Sequence, residues 1–286
     1  MAARWAVLAS GSGGNASLLQ QDGQGVLLDA GLGPRQMATR MSQVRATWQQ
    51  VRAVVLTHTH SDHWNAKTLA KLHALRIPFY CHPDHQRELQ LRCEGFEQLQ
   101  FAGLVRGYVP GRAFEPLAGV RCRPIPIPHD GGPTFGFRFE GESGETHWAI
   151  GYAADLGSWD STVAQSLSEV DLLAVEFNHD VQMQAASGRA PWLIARVLGD
   201  QGHLSNQQGA ALLEECLKRS TPGRLRHVIQ LHLSRECNRP ELARSAAAQV
   251  LQRTEPAVLL QTAAQDFVGQ PIQIHRELAV GVGWDA

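Results

Sequence analysis

The stretch Val51-Arg-Ala-Val-Val-Leu-Thr57-His58-Thr-His60-Ser-Asp62-His63 decides how this chain is read. A β-branched apolar run, fit for an inner-sheet strand, ends in four side chains that bind metal. His58 and His60 leave the strand two residues apart, so they point to one side and can grip one ion together. Asp62 and His63 follow the turn and face elsewhere, towards a second ion. With 13 histidines and 12 aspartates in 286 residues, such a run is expected only about 0.001 times in a shuffled chain. Imidazole and carboxylate suit zinc, manganese or iron.

A two-metal centre needs more donors. Three candidates share a setting, the end of an apolar strand. His129 ends Ile125-Pro-Ile-Pro-His129, Asp155 follows Trp148–Ala154, and His232 ends His227-Val-Ile-Gln-Leu-His232. Functional residues of layered α/β proteins gather at such strand ends. Short apolar runs bounded by turn residues predict strands at 4–9, 16–20, 25–29, 51–57, 78–81, 119–126, 134–139, 146–152, 170–176, 225–232 and 257–260. Helix-forming stretches lie between them at 34–43, 66–75, 83–92, 158–167, 191–198, 206–219 and 239–252, the sixth capped by Ser205. This order predicts two central sheets with helices outside. Pro124, Pro126 and Pro128 restrict their segment to a sheet edge.

The pattern His58-x-His60-x-Asp62-His63, then His129, Asp155 and His232, resembles the metallo-β-lactamase superfamily in kind, order and spacing. Val26-Leu-Leu-Asp29-Ala-Gly31 looks like its early strand-end aspartate motif. Closer motifs resemble the bacterial YycJ/WalJ-type branch: Ser10-Gly-Ser-Gly-Gly-Asn15, Pro128-His-Asp130, Glu176-Phe-Asn-His179-Asp180, Gly199-Asp-Gln-Gly-His203-Leu-Ser-Asn206 and His232-Leu-Ser-Arg235-Glu-Cys-Asn238. The resemblance spans residues 5–260 and implies a four-layer αββα sandwich as a single domain over 1–286. It also implies that His58, His60 and His129 hold one ion, that Asp62, His63 and His232 hold another, and that Asp155 bridges them. Asp62, His203 and Glu176 are the candidate catalytic residues. His203 would contact the scissile phosphate or protonate the leaving oxygen, with Glu176 orienting a histidine. Trp64-Asn65 replaces the Gly-Gly of thioesterase and lactonase relatives.

The resemblance implies a phosphodiesterase, foremost a 5′→3′ exonuclease of double-stranded DNA with DNA-repair partners. Two divalent ions, Zn or Mn with Fe as an alternative, about 3.5–4 Å apart, would activate hydroxide for in-line attack on phosphorus. The alternatives are a phosphodiesterase of cyclic phosphates or nucleotides and a metal-binding regulatory protein without turnover.

Composition sets bounds on this reading. The chain is 43% hydrophobic and 19% charged with a net charge of −1. A strongly basic nucleic-acid footprint is therefore absent. Between 186 and 239, however, eight basic residues stand against four acidic ones, enough for a local backbone contact. In that segment, which resembles the family, Trp192 and Arg196 are the candidate strand contacts. Five cysteines with no CxxC pair read as reduced thiols in the cytoplasm. No apolar run approaches the ~20 residues a membrane span needs. Residues 4–9, followed at once by a glycine turn, read as a strand and not as a signal sequence. His82 and His85 read as exposed, and His179 and Asp180 as either support for the site or turn residues.

Overall fold

The structure is a computed structural model that describes residues 3–143 and 146–274. Side chains alternate along its strands. In β1 (Ala3–Ala9), Trp5 and Val7 enter one buried cluster while Ala6 and Leu8 enter another. This period of two lets one strand serve two layers.

Among the described residues, the strands form two sheets of seven. The first joins β1 to β2 (Ala16–Gln21), β3 (Gln24–Leu28), β4 (Val51–Val55), β5 (Phe79–Cys81) and β6 (Val105–Gly107), with β14 (Ile272–Ile274) on the far side of β1. The second runs in reverse order, β13 (Leu259–Thr262), β12 (His227–Leu231), β11 (Leu172–Glu176), β10 (Thr146–Ala153), β9 (Thr134–Ser143), β8 (Val120–Ile127) and β7 (Phe114–Leu117).

Three apolar clusters separate four layers. Met37 and Met41 of α1 (Pro34–Gln43), Leu69 and Leu72 of α2 (Ala66–Leu75), and Leu99 of α4 (Phe96–Phe101) pack on the first sheet. Between the sheets, Trp5, Leu19 and Leu28 meet Phe137, Phe139 and Trp148. Outside the second sheet lie Leu167 of α5 (Ser161–Leu167), Leu213 of α8 (Asn206–Lys218) and Ala247 of α9 (Pro240–Thr254). The result is the expected αββα sandwich; α3 (Pro83–Arg92) adds Leu89 to the first outer cluster, and α6 (Val181–Ala185) and α7 (Pro191–Leu198) lie between β11 and α8 in the chain.

Local chemistry fixes several boundaries. The Asp160 side chain accepts from Thr162 N and Val163 N, so α5 starts at Ser161 and not at 158 as the composition predicts. Ser205 caps α8, as expected. Pro124 and Pro126 pair only with β9, because β7 has already ended opposite Val120–Cys122. Their missing N–H groups thus cost no ladder bond. The sequence reading missed β6, β7, β14, α4 and α6. Each has three to six residues, too short to leave a readable period. His85 is a correction as well. It is buried, its Nε2 lies 2.6 Å from Pro133 O, and with His82 it caps α3.

Parallel pairing gathers the strand ends. β3 and β4 are parallel, as are β10, β11 and β12, and β8 runs with β10 through the antiparallel β9. The residues that follow these strands collect at one edge of the sandwich.

Candidate metal centre

Three candidate ligands or supports adopt left-handed backbone where their strands stop: Asp29 (φ 62°), Asp155 (φ 54°) and His232 (φ 56°). Non-glycine residues seldom take this conformation, Asp and His more readily than most, and where it occurs at a functional site the surrounding structure holds it in place. These kinks come where the strand ends gather at one edge of the sandwich.

All seven predicted metal ligands converge there. One donor atom each from His58, His60 and His129 lies within 4.8 Å of the others, and the same holds for Asp62, His63 and His232. Asp155 stands between the two groups. Its carboxylate is 3.0 Å from His63 Nε2, 3.4 Å from His232 Nδ1 and 3.9 Å from His129 Nε2.

The imidazoles are oriented for coordination. His129 Nδ1 lies 2.9 Å from Gly202 O, and His63 Nδ1 lies 2.7 Å from Asp29 Oδ2. His232 Nδ1 is 3.1 Å from Glu176 Oε1, and His58 Nδ1 is 3.0 Å from Thr57 Oγ1. Thr57 Oγ1 gives its own proton to Asp29, so it can only accept from His58. With the Nδ1 of His58, His63, His129 and His232 each donating to protein, the Nε2 of each of these four rings is left with a lone pair. His58 Nε2 and His232 Nε2 are buried without a hydrogen-bond partner, as is Asp155 Oδ2 despite its contact with His63. Such orphaned atoms are costly unless a cation takes them up. The residues present therefore fit two divalent ions.

Charge points the same way. Burial, and then the neighbouring imidazoles, lower the proton affinity of His58 well below its ordinary value. At His63 and His232 burial pulls down as well, but the carboxylates of Asp29, Asp62, Asp155 and Glu176 outweigh it and raise both. These buried carboxylates demand positive charge, which either protons or cations can supply.

The supports come from the early chain. Gly14 N donates to Gly11 O at 2.9 Å, closing the tight turn expected of Gly11–Asn15. Asn15 Oδ1 accepts from Gly11 N at 2.8 Å, which aims its Nδ2 at Asp62 Oδ2 (3.1 Å) and His63 Nε2 (3.0 Å). Gly31 passes so close to the ligand loop that a Cβ would sit 1.8 Å from Asp62 O. Arg92 Nη1 donates to Thr59 O at 2.9 Å and to Glu88 at 2.7 Å, while Glu88 accepts from Thr59 Oγ1, clamping the backbone between His58 and His60. Asn178 Nδ2 donates to His232 O at 2.7 Å. Sequence reasoning missed Thr57, Glu88, Arg92 and Asn178. Thr57 adjoins the ligand run and is the one an ordering rule could have found. Substituting Asn for Asp29 should weaken metal binding by about 10–100-fold, because His63 loses the acceptor that fixes its ring. Competition with a fluorescent chelator measures this, and unchanged affinity would contradict the assigned support.

Glu176 is a hub. Its Oε1 accepts from His203 Nδ1 (2.9 Å) and His232 Nδ1 (3.1 Å), and its Oε2 accepts from Leu156 N (2.9 Å) and Leu204 N (3.1 Å). Burial alone would raise its pKa, but His203 and His232 outweigh it and bring it down to about 2. His203 stacks on His232 with ring centroids 5.2 Å apart, and its Nδ1 lies 3.7 Å from Asp155 Oδ1. Because Ser205 caps α8, His203 is free of that duty. Its Nε2 is the atom that can meet a substrate. Asp180 caps α6, whereas His179 is buried beside the hub with neither ring nitrogen paired.

The basic segment 186–239 divides. Arg224 pairs with Asp171 and Lys218 with Glu214, near the start of β12 and away from His232 at its end. Near the centre, Arg189 pairs with Glu236, Arg196 with Asp130 and Arg235 with Asp266. The local charge excess is thus largely neutralised by ion pairs.

Known proteins resemble this chain in both sequence and architecture. The family model described as the beta-lactamase superfamily domain matches residues 24–222. Over 262 residues the chain is 26% identical to the exodeoxyribonuclease WalJ of Streptococcus pneumoniae, covering 89% of this chain and 90% of that one. Over 254 residues it is 26% identical to the exodeoxyribonuclease YycJ of Bacillus anthracis, covering 88% and 90%. The crystal structure of the short form of human tRNase Z superposes with a TM-score of 0.60 at 18% identity, covering 96% of this chain and 100% of that one. At that identity the likeness speaks for the fold alone.

Proposed function

This chain belongs to the β-lactamase superfamily, and from that premise we propose that it is a metal-dependent hydrolase of phosphodiester bonds, an exonuclease digesting double-stranded DNA from 5′ to 3′. The observation that carries this reading is the Glu176–His203 pair beside the cluster of seven donors. A hydrolase that must protonate a poor leaving oxygen needs a proton donor distinct from its metal ligands. Similarity to proteins named exodeoxyribonucleases over 89% of this chain supports DNA as the substrate.

His58, His63, His129 and His232 would bind through Nε2 and His60 through Nδ1, with Asp62 and Asp155 completing two sites for zinc or manganese. When bound, such ions neutralise charge on phosphoryl oxygens and lower the pKa of an attacking water. The protein does the rest. Asp155 joins the two sites. Glu176 holds the Nδ1–H of His203, so a proton on Nε2 can pass to the leaving oxygen. The buried carboxylates keep the imidazoles in place. Both sheets feed one centre, so we take residues 1–286 as one domain. Five buried free thiols fit a reducing cytoplasm. Among the described residues, no helix is long and apolar enough to cross a membrane.

The metal-loaded protein should release nucleotides from duplex DNA with Mn²⁺ or Zn²⁺ present. A 3′-end label should be released last if digestion starts at the 5′ end. Because the nearby arginines are already ion-paired, hydrolysis of a small phosphodiester such as a cyclic nucleotide is the second reading. Turnover of bis-p-nitrophenyl phosphate without release from DNA at any metal concentration would replace the first reading with the second.

A further inference from the structure

Helix α7 connects the outer surface to the candidate centre. At its C-terminal end, Val197 O accepts from His203 N at 3.0 Å. Arg196 grips Asp130 with two hydrogen bonds, from Nε to Oδ2 and from Nη2 to Oδ1. Asp130 Oδ1 is in turn 3.5 Å from His129 Nε2 and 3.7 Å from His60 Nε2. The face of α7 that carries Arg196 is therefore anchored to the first metal group.

Trp192 lies one turn before Arg196 on that same face. It is 69% exposed, whereas Trp5, Trp48, Trp64 and Trp148 are buried and Trp159 is half-buried with its indole N–H on Gln208 O. An indole face left in water is open to stack on a planar partner. The helix Pro-Trp-Leu-Ile-Ala-Arg-Val-Leu carries no acidic residue, so a polyanion meets no repulsion from it. Nε and Nη2 of Arg196 are engaged by Asp130, which leaves its Nη1 donors for a phosphate. From Val197 back to Trp192 the helix rises roughly 7.5 Å, about two stacked nucleotides at 3.4 Å each.

We propose that Trp192 is a stacking platform for an unpaired base of the strand whose phosphate lies in the candidate centre, with Arg196 meeting a neighbouring phosphate. This rests on the nucleic-acid reading of the site. It implies that the enzyme takes a frayed or single-stranded end across α7, because a base can stack on Trp192 only after it leaves the duplex.

The test compares wild-type protein, W192A and W192F on a short single-stranded oligonucleotide, on the same strand made abasic at the end to be digested, and on bis-p-nitrophenyl phosphate. W192A should raise KM for the intact strand about 5- to 150-fold, the loss of one base–aromatic stack. W192F should recover most of that loss. On the abasic strand, and on bis-p-nitrophenyl phosphate, W192A should equal the wild type. Wild-type KM in W192A on the intact strand would overturn the proposal. So would an equal loss on all three substrates, which marks a structural role. So would dissociation of an oligomer in W192A with DNA kinetics unchanged, which makes Trp192 a protein contact. If wild-type protein cleaves bis-p-nitrophenyl phosphate but no nucleic acid, the nuclease reading itself fails and takes this inference with it.

Discussion

Asp155→Ala is expected to lose metal and hydrolysis together. Asp155 is the carboxylate that reaches both donor groups, 3.0 Å from His63 Nε2 in one and 3.9 Å from His129 Nε2 in the other. Burial opposes its charge, yet His232 and His63 outweigh burial and hold its pKa well below the ordinary carboxylate value. It is therefore a fixed negative charge between the two donor groups. Losing an outer support of a metal site costs 10–100-fold in affinity, so losing a shared ligand should cost more than about 100-fold. Metal per chain after dialysis, read beside the rate on bis-p-nitrophenyl phosphate, measures both effects. Circular dichroism separates this from unfolding. Full metal content in a folded Asp155→Ala protein would contradict the bridging role.

His203→Ala should separate the two properties that Asp155→Ala removes at once. His203 is close to the centre, but its Nδ1 is committed to Glu176 at 2.9 Å. An alanine there leaves Glu176 still engaged by His232 Nδ1 and by Leu156 N and Leu204 N. The donor groups should thus remain in place and metal content should be unchanged. Loss of a positioned general acid costs about 10²–10⁴-fold in rate, and the loss should appear in kcat more than in KM. It should also be smaller for bis-p-nitrophenyl phosphate, whose leaving group departs without a proton. Loss of metal from His203→Ala would make His203 a ligand, as its place in a group with Asp155, Glu176 and His232 would allow. Undiminished kcat on DNA would remove it from the chemistry.

What the sequence made legible follows from the range of each signal. His58, His60, Asp62 and His63 are adjacent in the chain, and a local pattern exposes them. His129, Asp155 and His232 were within reach because each ends an apolar strand, and parallel strands deliver their ends to one edge. Two sheets flanked by helices followed from strand and helix periods. The supports were harder to see. Thr57 resembles any strand threonine until Asp29 takes its proton, and Arg92 is an ordinary helix arginine until α3 swings it over Thr59. Such roles arise from contacts between residues more than 25 apart, which no local pattern encodes. Charge counting meets the same limit. Arg189, Arg196, Arg224 and Arg235 find their carboxylate partners only in the folded chain.

The proposed centre would hold two ions, one on each donor group with Asp155 between them. Anomalous difference maps from crystals grown with Mn²⁺ or Zn²⁺ test this directly. Two peaks are expected, one among His58, His60 and His129 and one among Asp62, His63 and His232. A single peak at saturating metal, or peaks coordinated by other residues, would contradict it.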